Sequence, residues 1–425
     1  MAPVSTWLHG NPRGLAATNR SGAYGGEMTI EPGTPASGHD LSRADLEGMF
    51  EQRLAEAFAA LGTFNLAVFG KTGAGKSTLV NAIFGRDVAR TGVGQPVTKG
   101  LVYHRHPDGF LGLYDSEGFE TGTAGDVILE GLKTLVADHG ARPVDQRIHA
   151  AWYLVRWSDR RFEGAQAEFV RALHAVGLPV IVVMAQVPTR DGVIHPDALE
   201  FARYIEGLGL PLAPGGRVVL TNALVDEFSG APVFGLQQLL DDTYEVVPEV
   251  AERALTAAQM LDIGRKKKVV AGIVNQAAVI AAGIGATPIP FADAALLIPN
   301  QVTMIARITA AYGLPPSRSR AMAAAGSIVL TGGATLAGKY AVTSLMKFVP
   351  GGAIAGSAVS ATVAASLTKA VGLAWSRVCE YAVSLPADQR DRFLESGEVT
   401  EKFVGFMKAG GVGSALGGLG RKKPS

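Results

Sequence analysis

The stretch that decides the fold is FNLAVFGKTGAGKST, residues 64–78. It opens with an uninterrupted apolar run, Phe64–Phe69, which predicts a buried strand. The next eight residues, Gly70–Ser77, match the pattern G-x-x-x-x-G-K-S at every fixed position, and Thr78–Phe84 predicts a helix. A strand, this octet and a helix in that order predict a loop that binds phosphate groups.

The residue types of this loop suit phosphate chemistry. Glycines let the backbone fold closely enough for several amide N–H groups to converge on one anion, and the helix N-terminus adds partial positive charge. We expect Lys76 to reach the β and γ phosphates of a nucleotide and to act in catalysis, and Ser77 to ligate Mg²⁺. The nucleotide-binding residues predicted in the loop are Gly70, Lys71, Thr72, Gly73, Ala74, Gly75, Lys76, Ser77 and Thr78.

A second motif, D-x-x-G, spans Asp115–Gly118 directly after a predicted strand, Phe110–Tyr114. We expect Asp115 to hold Mg²⁺ through water, the Gly118 amide to sense a γ-phosphate, and Thr98 to close on the metal as a catalytic switch residue. The chain has no L-S-G-G-Q segment, and this argues against an ATP-driven transporter.

Apolar runs alternate with helical patterns up to about residue 248. Strands that alternate with helices predict a mostly parallel sheet with helices on both faces, an α/β fold. The further predicted strands are Leu101–Arg105, Ile148–Val155, Pro179–Met184 and Arg217–Thr221. The further predicted helices are Asp126–His139, Gly164–Val176, Pro196–Gly207 and Gly235–Tyr244.

With these motifs, residues 64–248 resemble the G domains of translation-factor-related GTPases, closest in style to the Era-like branch. The clearest stretch is Gly75–Gly85, and Gly235–Leu240 followed by Pro248 resembles the closing helix of that branch. The resemblance implies a P-loop NTPase G domain that binds GTP or GDP with Mg²⁺. It also implies slow hydrolysis and switch loops that order around the γ-phosphate.

The base-reading motif of that family, N/T-K-x-D, is degenerate in this chain. Its register is occupied by Ala185–Pro188, which lacks the carboxylate that accepts hydrogen bonds from guanine. Gln186 is expected to lay its stem over the base, and Asp191 would supply a carboxylate only if its loop bulges. Asn222 and Ala223 resemble the family's backbone contact to guanine. Two readings stay open, because the base is bound either by these residues or elsewhere, and ATP is also open as the nucleotide.

The catalytic position departs from the family pattern as well. Phe119 stands where related enzymes place the glutamine that orients water, and Gly73 stands where potassium-stimulated relatives carry asparagine. We therefore expect slow hydrolysis unless a group supplied in trans, or a homodimer through the G domain, completes the site. Arg156, Arg160 and Arg161 are either the donors of that group or solvated surface charges.

Beyond the α/β part, residues 251–410 hold long Ala, Gly, Val and Ile stretches that predict an Ala/Gly-rich all-α domain. The charge-free runs Val269–Ala292 and Phe348–Thr368 are about long enough to span a bilayer, yet they contain prolines, amides and many small residues. Either this domain contacts or enters a membrane, or it packs as a soluble helical domain. The predicted helices are Val269–Ala286, Asp293–Tyr312, Ser319–Lys339, Tyr340–Phe348 and Ala353–Ala382, preceded by a basic knot at Arg265–Lys268.

Residues 287–305 resemble the YcjF-type domain of unknown function, and the resemblance covers residues 265–385. That domain follows bacterial G domains and is associated with membranes, so it implies membrane contact through residues 265–385. The combination is more remotely similar to the immunity-related GTPases, in which a helical domain transmits the nucleotide state.

Charge and composition bound the remaining possibilities. The chain has 39 Lys and Arg against 38 Asp and Glu, and the resulting net charge of +1 predicts no nucleic-acid partner. No apolar run lies within the first twenty residues, so we expect a cytoplasmic protein or one at the inner face of the cell membrane. The predicted domains are a disordered tail (1–40), an amphipathic helix (41–62), a G domain (63–250), a helical domain (251–385) and a C-terminal helix with a flexible basic tail (386–425).

Together these features predict a GTP-binding protein and slow Mg²⁺-dependent GTPase. Its nucleotide state would control the C-terminal helical domain, which would contact a membrane or partner proteins. A membrane-associated scaffold with negligible turnover and an ATP-binding P-loop protein are the alternatives.

Overall fold

A seven-stranded sheet forms the centre of the N-terminal half in a computed structural model of the protein. The described residues are 43–85, 95–98, 101–106, 109–116, 147–225, 230–285, 292–314 and 357–409, with a few positions between 127 and 143. The strands of this sheet are β1 Phe64–Gly70, β2 Gln95–Thr98, β3 Leu101–Arg105, β4 Leu111–Ser116, β5 Ala150–Arg156, β6 Val180–Ala185 and β9 Val219–Leu220.

The strand order β2-β3-β4-β1-β5-β6-β9 places β1 in the middle of the sheet. Strands β4, β1, β5, β6 and β9 run parallel, and β2 and β3 form the antiparallel edge. The parallel strands are buried on both sides, as their continuous apolar sequence requires. A separate two-stranded hairpin consists of β7 Thr189–Arg190 and β8 Val193–Ile194.

Helices cover both faces of this sheet, and the predicted fold class is confirmed. The helices of this half are α1 Arg43–Ala59, α2 Lys76–Phe84, α3 Gly164–Ala175, α4 Pro196–Glu206 and α5 Leu236–Val246. One core lies between the sheet and helices α3 and α4. A second, larger core on the opposite face contains residues of α1, α2 and α5.

The C-terminal half is helical, as predicted, and it packs into that larger core rather than forming a core of its own. Its helices are α6 Glu249–Ala258, α7 Ile263–Gly285, α8 Ala292–Ala311, α9 Ser357–Ser384, α10 Ala387–Glu395 and α11 Glu398–Ala409. Helix α1, which precedes the first strand, packs against α8. The predicted helices at 319–339 and 340–348 lie outside the described residues.

The sequence analysis placed the basic knot Arg265–Lys268 before the helix. In the structure α7 begins at Ile263, so these four residues lie inside it. Lys266 is fully buried. Its Nζ donates to the carbonyls of Thr256 and Ala257 at 2.7 and 2.9 Å, at the end of α6. It also lies 3.5 and 3.2 Å from the carbonyl oxygens of Ala311 and Tyr312, at the C-terminal end of α8. Helix C-termini carry partial negative charge, so one amino group holds two helix ends together.

The neighbours of Lys266 also make contacts inside the protein. The guanidinium of Arg265 lies 2.8 Å from Asp241 on α5 and packs 4.0 Å over the Tyr244 ring. Lys267 pairs with Glu380 on α9 at 2.6 Å. Three of the four basic residues therefore make contacts with other helices of the protein, and one of the three is fully buried.

Among the described residues, α7 is the single helix long and apolar enough to cross a membrane, by length and composition alone. Within its most apolar window, 39 % of the residues are buried inside the protein, against α8 and α9. The second apolar run of the sequence, 348–368, overlaps the start of α9, and its residues 348–356 lie outside the described part of the chain. The core helix of a soluble protein passes the same test.

Replacing Lys266 by Met should destabilise the protein. The variant keeps the length of the side chain but leaves buried carbonyls at two helix ends without a donor, which should lower the free energy of unfolding by about 2–4 kcal/mol. Urea unfolding at neutral pH measures this. Lys268→Met is the matched control, because Lys268 is exposed on the same helix and should change stability by less than about 0.5 kcal/mol. Equal losses in the two variants would contradict the role of Lys266.

The same residue should make stability depend on pH. Burial, with a smaller contribution from the charge of Arg390, lowers the pKa of Lys266 from 10.5 to about 7. Between these values the unfolded chain binds a proton that the folded protein does not, so the free energy of unfolding should rise with pH from about 7 towards 10. Urea unfolding at pH 7 and pH 9 should show this rise in the wild type and a smaller one in Lys266→Met.

Candidate nucleotide-binding site

The predicted phosphate loop connects β1 to α2 at the carboxyl edge of the parallel strands, where ligands bind in open α/β sheets. Its glycines are needed for their backbone geometry. Gly70, Gly73 and Gly75 have φ of 143°, 78° and 92°, a region that disfavours other residues. A Cβ on Gly70 would also lie 2.6 Å from the carbonyl oxygen of Leu154, so β5 leaves no room for a side chain there.

The structure brings the predicted phosphate and magnesium residues together. Lys76, Ser77 and Asp115 line one small cavity of about 10 Å³ between the start of α2 and the end of β4. The Nζ of Lys76 donates to the carbonyl of Gly70 at 3.0 Å and so folds back over the loop. A hydroxyl and a carboxylate facing one water-sized space are oxygen ligands of the kind that Mg²⁺ prefers. The residues present therefore fit the predicted metal.

His104 lines the same cavity, and the sequence analysis missed it. Both His104 and His106 are partly buried. His104 lies opposite Leu113 in the β3–β4 ladder, which places it on the core face beside Asp115. His106 packs against Phe110, and burial lowers the pKa of its imidazole. Side chains alternate between the two faces of β3, and the pairing of His104 with the apolar Leu113 was the signal that could have placed His104 on the core face.

Other residues of the loop anchor it or lie at its surface. Lys71 pairs with Glu163, the N-cap residue of α3, at 3.1 Å, and this links the loop to a second helix. Thr72 and Thr78 are exposed, whereas Ala74 is buried in the larger core. Position 74 is one of the variable positions of the G-x-x-x-x-G-K-S pattern, but in this chain packing in the core restricts it to a small residue.

Gln186 contacts the phosphate loop directly. It follows the last residue of β6 with φ of 59°, and its Nε2 donates to the carbonyl oxygen of Gly73 at 3.0 Å. The next residue, Val187, donates its backbone N–H to Thr221 at 3.0 Å. The degenerate base motif and the segment after β9 thus lie side by side at the same edge as the loop.

Asp191 and Asn222 were both considered for the base side, and they lie in different environments. Asp191 lies at the exposed tip of the β7–β8 hairpin, with φ of 52°, so its loop forms a tight turn and does not bulge. The side chain of Asn222 is buried and donates to the carbonyl of Pro232 at 3.0 Å. It is therefore used to hold the loop before α5, while Ala223 beside it is half-buried.

Arg156 is the last residue of β5, and its Nη1 lies 3.7 Å from the position that a Cβ of Gly73 would occupy. Arg160, by contrast, pairs with Asp197 on α4 at 2.5 Å, and Arg161 is exposed. The three arginines treated alike in the sequence are therefore not equivalent, because only Arg156 reaches the phosphate loop.

Three residues of the predicted site lie wholly or partly outside the described residues. The backbone of Thr98 ends β2 opposite Leu101, but its side chain is outside the described residues. Gly118 and Phe119 are also outside them. Their proposed roles rest on the sequence alone.

This fold and this loop define a P-loop GTPase G domain followed by a helical region. Residues 65–186 match the family described as 50S ribosome-binding GTPase, and residues 250–396 match a domain of unknown function, DUF697. A comparison with curated proteins found no match.

Three of the solved structures to which this chain is similar are the following. A probable GTP-binding protein engB has 18 % identity, covering 44 % of this chain and 100 % of its own, with a TM-score of 0.29. Era of Aquifex aeolicus bound to GDP.AlF4- has 18 % identity over 54 % of this chain and 69 % of its own, with a TM-score of 0.30. Toc33 from Arabidopsis thaliana with Mg2+ and GMPPNP has 17 % identity over 49 % and 95 %, with a TM-score of 0.30.

Gln186→Ala should weaken nucleotide binding moderately. The variant loses the hydrogen bond to Gly73 and loosens the loop, and because the bond is exposed we expect a two- to fivefold rise in Kd for a fluorescent GDP analogue, about 0.5–1 kcal/mol. Gln186→Glu should have a larger effect, since a carboxylate cannot donate to the carbonyl and repels phosphate. Asp191→Asn is the control and should leave Kd unchanged. A larger loss with Asp191→Asn would restore its predicted base-reading role.

Proposed function

We propose that the protein binds GTP and hydrolyses it slowly with Mg²⁺, and that its nucleotide state controls the helical region. The observation that carries this proposal is the convergence of Lys76, Ser77 and Asp115 on one cavity at the end of a complete phosphate loop. The match of residues 65–186 to a GTPase family supports guanine as the base. The Era-like branch and the remote similarity to immunity-related GTPases remain predictions from the sequence.

In this proposal the loop backbone binds the phosphates, and Lys76 leaves the Gly70 carbonyl to reach the β and γ phosphates. Ser77 and Asp115 would hold Mg²⁺, with Thr98 joining in the GTP state. The metal would neutralise charge that develops on the phosphates. Since Phe119 replaces the water-orienting glutamine, turnover is slow.

Helix α2 offers a direct route from the nucleotide to the helical region. It begins at the phosphate loop, and the carbonyl of Ile83 near its other end accepts a hydrogen bond from the backbone N–H of Met260 at 2.8 Å. Met260 lies in the connection between α6 and α7. Movement of α2 with the nucleotide would therefore act on the joint around Lys266.

Membrane contact is the output that we propose for the helical region, residues 265–385, at the inner face of the cell membrane. The outward face of α7 carries Val279 and Ile280, which are 73 % and 47 % exposed, but also the exposed amides of Asn275 and Gln276. A mixed surface of this kind suits peripheral contact better than a single span. A homodimer through the G domain is the second proposed partner.

Isothermal titration with GTP, GDP and ATP tests the nucleotide. We expect binding of GTP and GDP in the micromolar range or tighter, with ATP at least tenfold weaker. Lys76→Ala should abolish binding, because the loop loses its phosphate cation. Lys268→Ala is the control, since Lys268 is an exposed lysine of α7 that is not among the predicted nucleotide-binding residues, and it should change Kd less than about threefold. Tighter binding of ATP would favour the ATP-binding alternative, and binding without measurable phosphate release would favour the scaffold.

Limited proteolysis tests the coupling to the helical region. Cleavage within residues 265–385 should differ between the GDP state and the state with a non-hydrolysable GTP analogue, because α2 is hydrogen-bonded to the α6–α7 connection. Lys76→Ala should give one pattern regardless of nucleotide. Identical cleavage patterns in the two nucleotide states of the wild type would contradict the proposed coupling to the helical region. Flotation with anionic vesicles in each state then measures whether the response includes membrane contact.

A further inference from the structure

The side chain of Arg156 points towards the phosphate loop because of its place in the sheet. Gly70 of β1 pairs with Leu154 of β5, so Arg156 lies two residues beyond the level at which the loop begins. Side chains alternate along a strand, so Arg156 faces the same side as Leu154, which packs in the core that includes α2. Helix α2 starts at the end of the loop. Strand register alone therefore brings the guanidinium to this side of the loop.

Asp159 holds the guanidinium by one edge. Nε and Nη2 of Arg156 lie 3.0 and 2.9 Å from the same carboxylate oxygen, and the Asp159 side chain is 17 % exposed. The remaining nitrogen, Nη1, is the one that lies 3.7 Å from the Cβ position of Gly73. An arginine fixed at one edge presents the other in a defined direction at little entropic cost.

The midpoint of the loop thus has two neighbours of different character. Gln186, from β6, donates to the Gly73 carbonyl and carries no charge. Arg156, from the adjacent β5, places a permanent positive charge 3.7 Å from the Cβ position of Gly73. Guanidinium groups match phosphate oxygens in geometry and charge better than any other side chain.

We propose that Arg156 binds the phosphate groups of the nucleotide within its own chain, with Asp159 as the positioning residue. This inference rests on the proposed function. It replaces the idea that a partner must bring such a cation, because the charge is already beside the loop.

Nucleotide titration of four variants tests this proposal. Arg156→Ala should raise Kd for GDP and GTP about tenfold, since a partly exposed charge-assisted contact is lost. Arg156→Lys should keep the charge but lose the two contacts to Asp159, so its loss should be smaller. Asp159→Ala should fall between the wild type and Arg156→Ala. Arg203→Ala, which removes an exposed arginine of α4 that bonds only to its own helix among the described residues, should bind like the wild type.

Salt separates a phosphate contact from a structural one. The affinity of the wild type should fall more steeply with ionic strength than that of Arg156→Ala, because the variant has one charge fewer at the phosphates. Equal salt dependence, or a Kd for Arg156→Ala equal to that of Arg203→Ala, would overturn the proposal. If the wild type itself bound neither GDP nor GTP, the proposed function would fail as well, so the two failures are distinguishable.

Mixing separates action within one chain from action between chains. Lys76→Ala protein should bind no nucleotide but still carries Arg156, so it can lend that arginine to a partner. Adding it to Arg156→Ala should not lower the Kd of that variant for GDP, and the Kd of the wild type should not change with protein concentration. Restoration by the added chain would show that the arginine acts in trans and would overturn the proposal.

Discussion

The buried amino group of Lys266 is the interaction on which the joint between the two halves depends. A lysine without water must find oxygen atoms, and here the carbonyls at the ends of α6 and α8 supply them. Helix α6 is the first helix of the C-terminal half and packs against β1 and β4 of the G domain, whereas α8 lies further along the same half. Both ends must stay in place for the amino group to remain bonded, so the position of α8 is tied to that of the G domain.

The phosphate loop depends on a different constraint, which is close approach of backbones. Gly70 passes the Leu154 carbonyl at a distance that no Cβ permits, and this brings β5 against the start of the loop. The same closeness puts the end of β5 and the end of β6 within reach of Gly73. Loop, β5 and β6 therefore form a single assembly, which α2 connects to the α6–α7 segment through Ile83 and Met260.

The sequence allowed the fold and the site to be predicted where the deciding pattern is local in the chain. The octet at 70–77 fixes strand, loop and helix together, and the continuous apolar run of β6 identifies a central parallel strand. The metal-binding role predicted for Asp115 follows from the D-x-x-G spacing, because this motif consists of four neighbouring residues. The helical character of the C-terminal half follows from its composition. In the first three cases the information lies in a short continuous segment, and in the fourth it lies in the residue types of one region.

It failed where the outcome depends on strand register or on packing between distant segments. Arg156 and Arg160 are indistinguishable as exposed cations in the sequence, and only the pairing of Gly70 with Leu154 separates them. Lys266 sits in a basic run that resembles a solvated helix end, yet α6 and α8, far apart along the chain, enclose it. Asp191 was a candidate only until the tight turn at the hairpin tip fixed its position.

Helices α1, α2 and α5 share one continuous core with the C-terminal helices, so the two halves cannot be separated without exposing that core. The sequence suggests a cut near residue 250, between two recognisable families. A cut there would leave α1 without α8 and would expose the faces of α2 and α5 that contact the helical region. Each fragment would expose a large apolar surface that is buried in the intact chain. Self-association of such a fragment would therefore not report how the intact chain assembles.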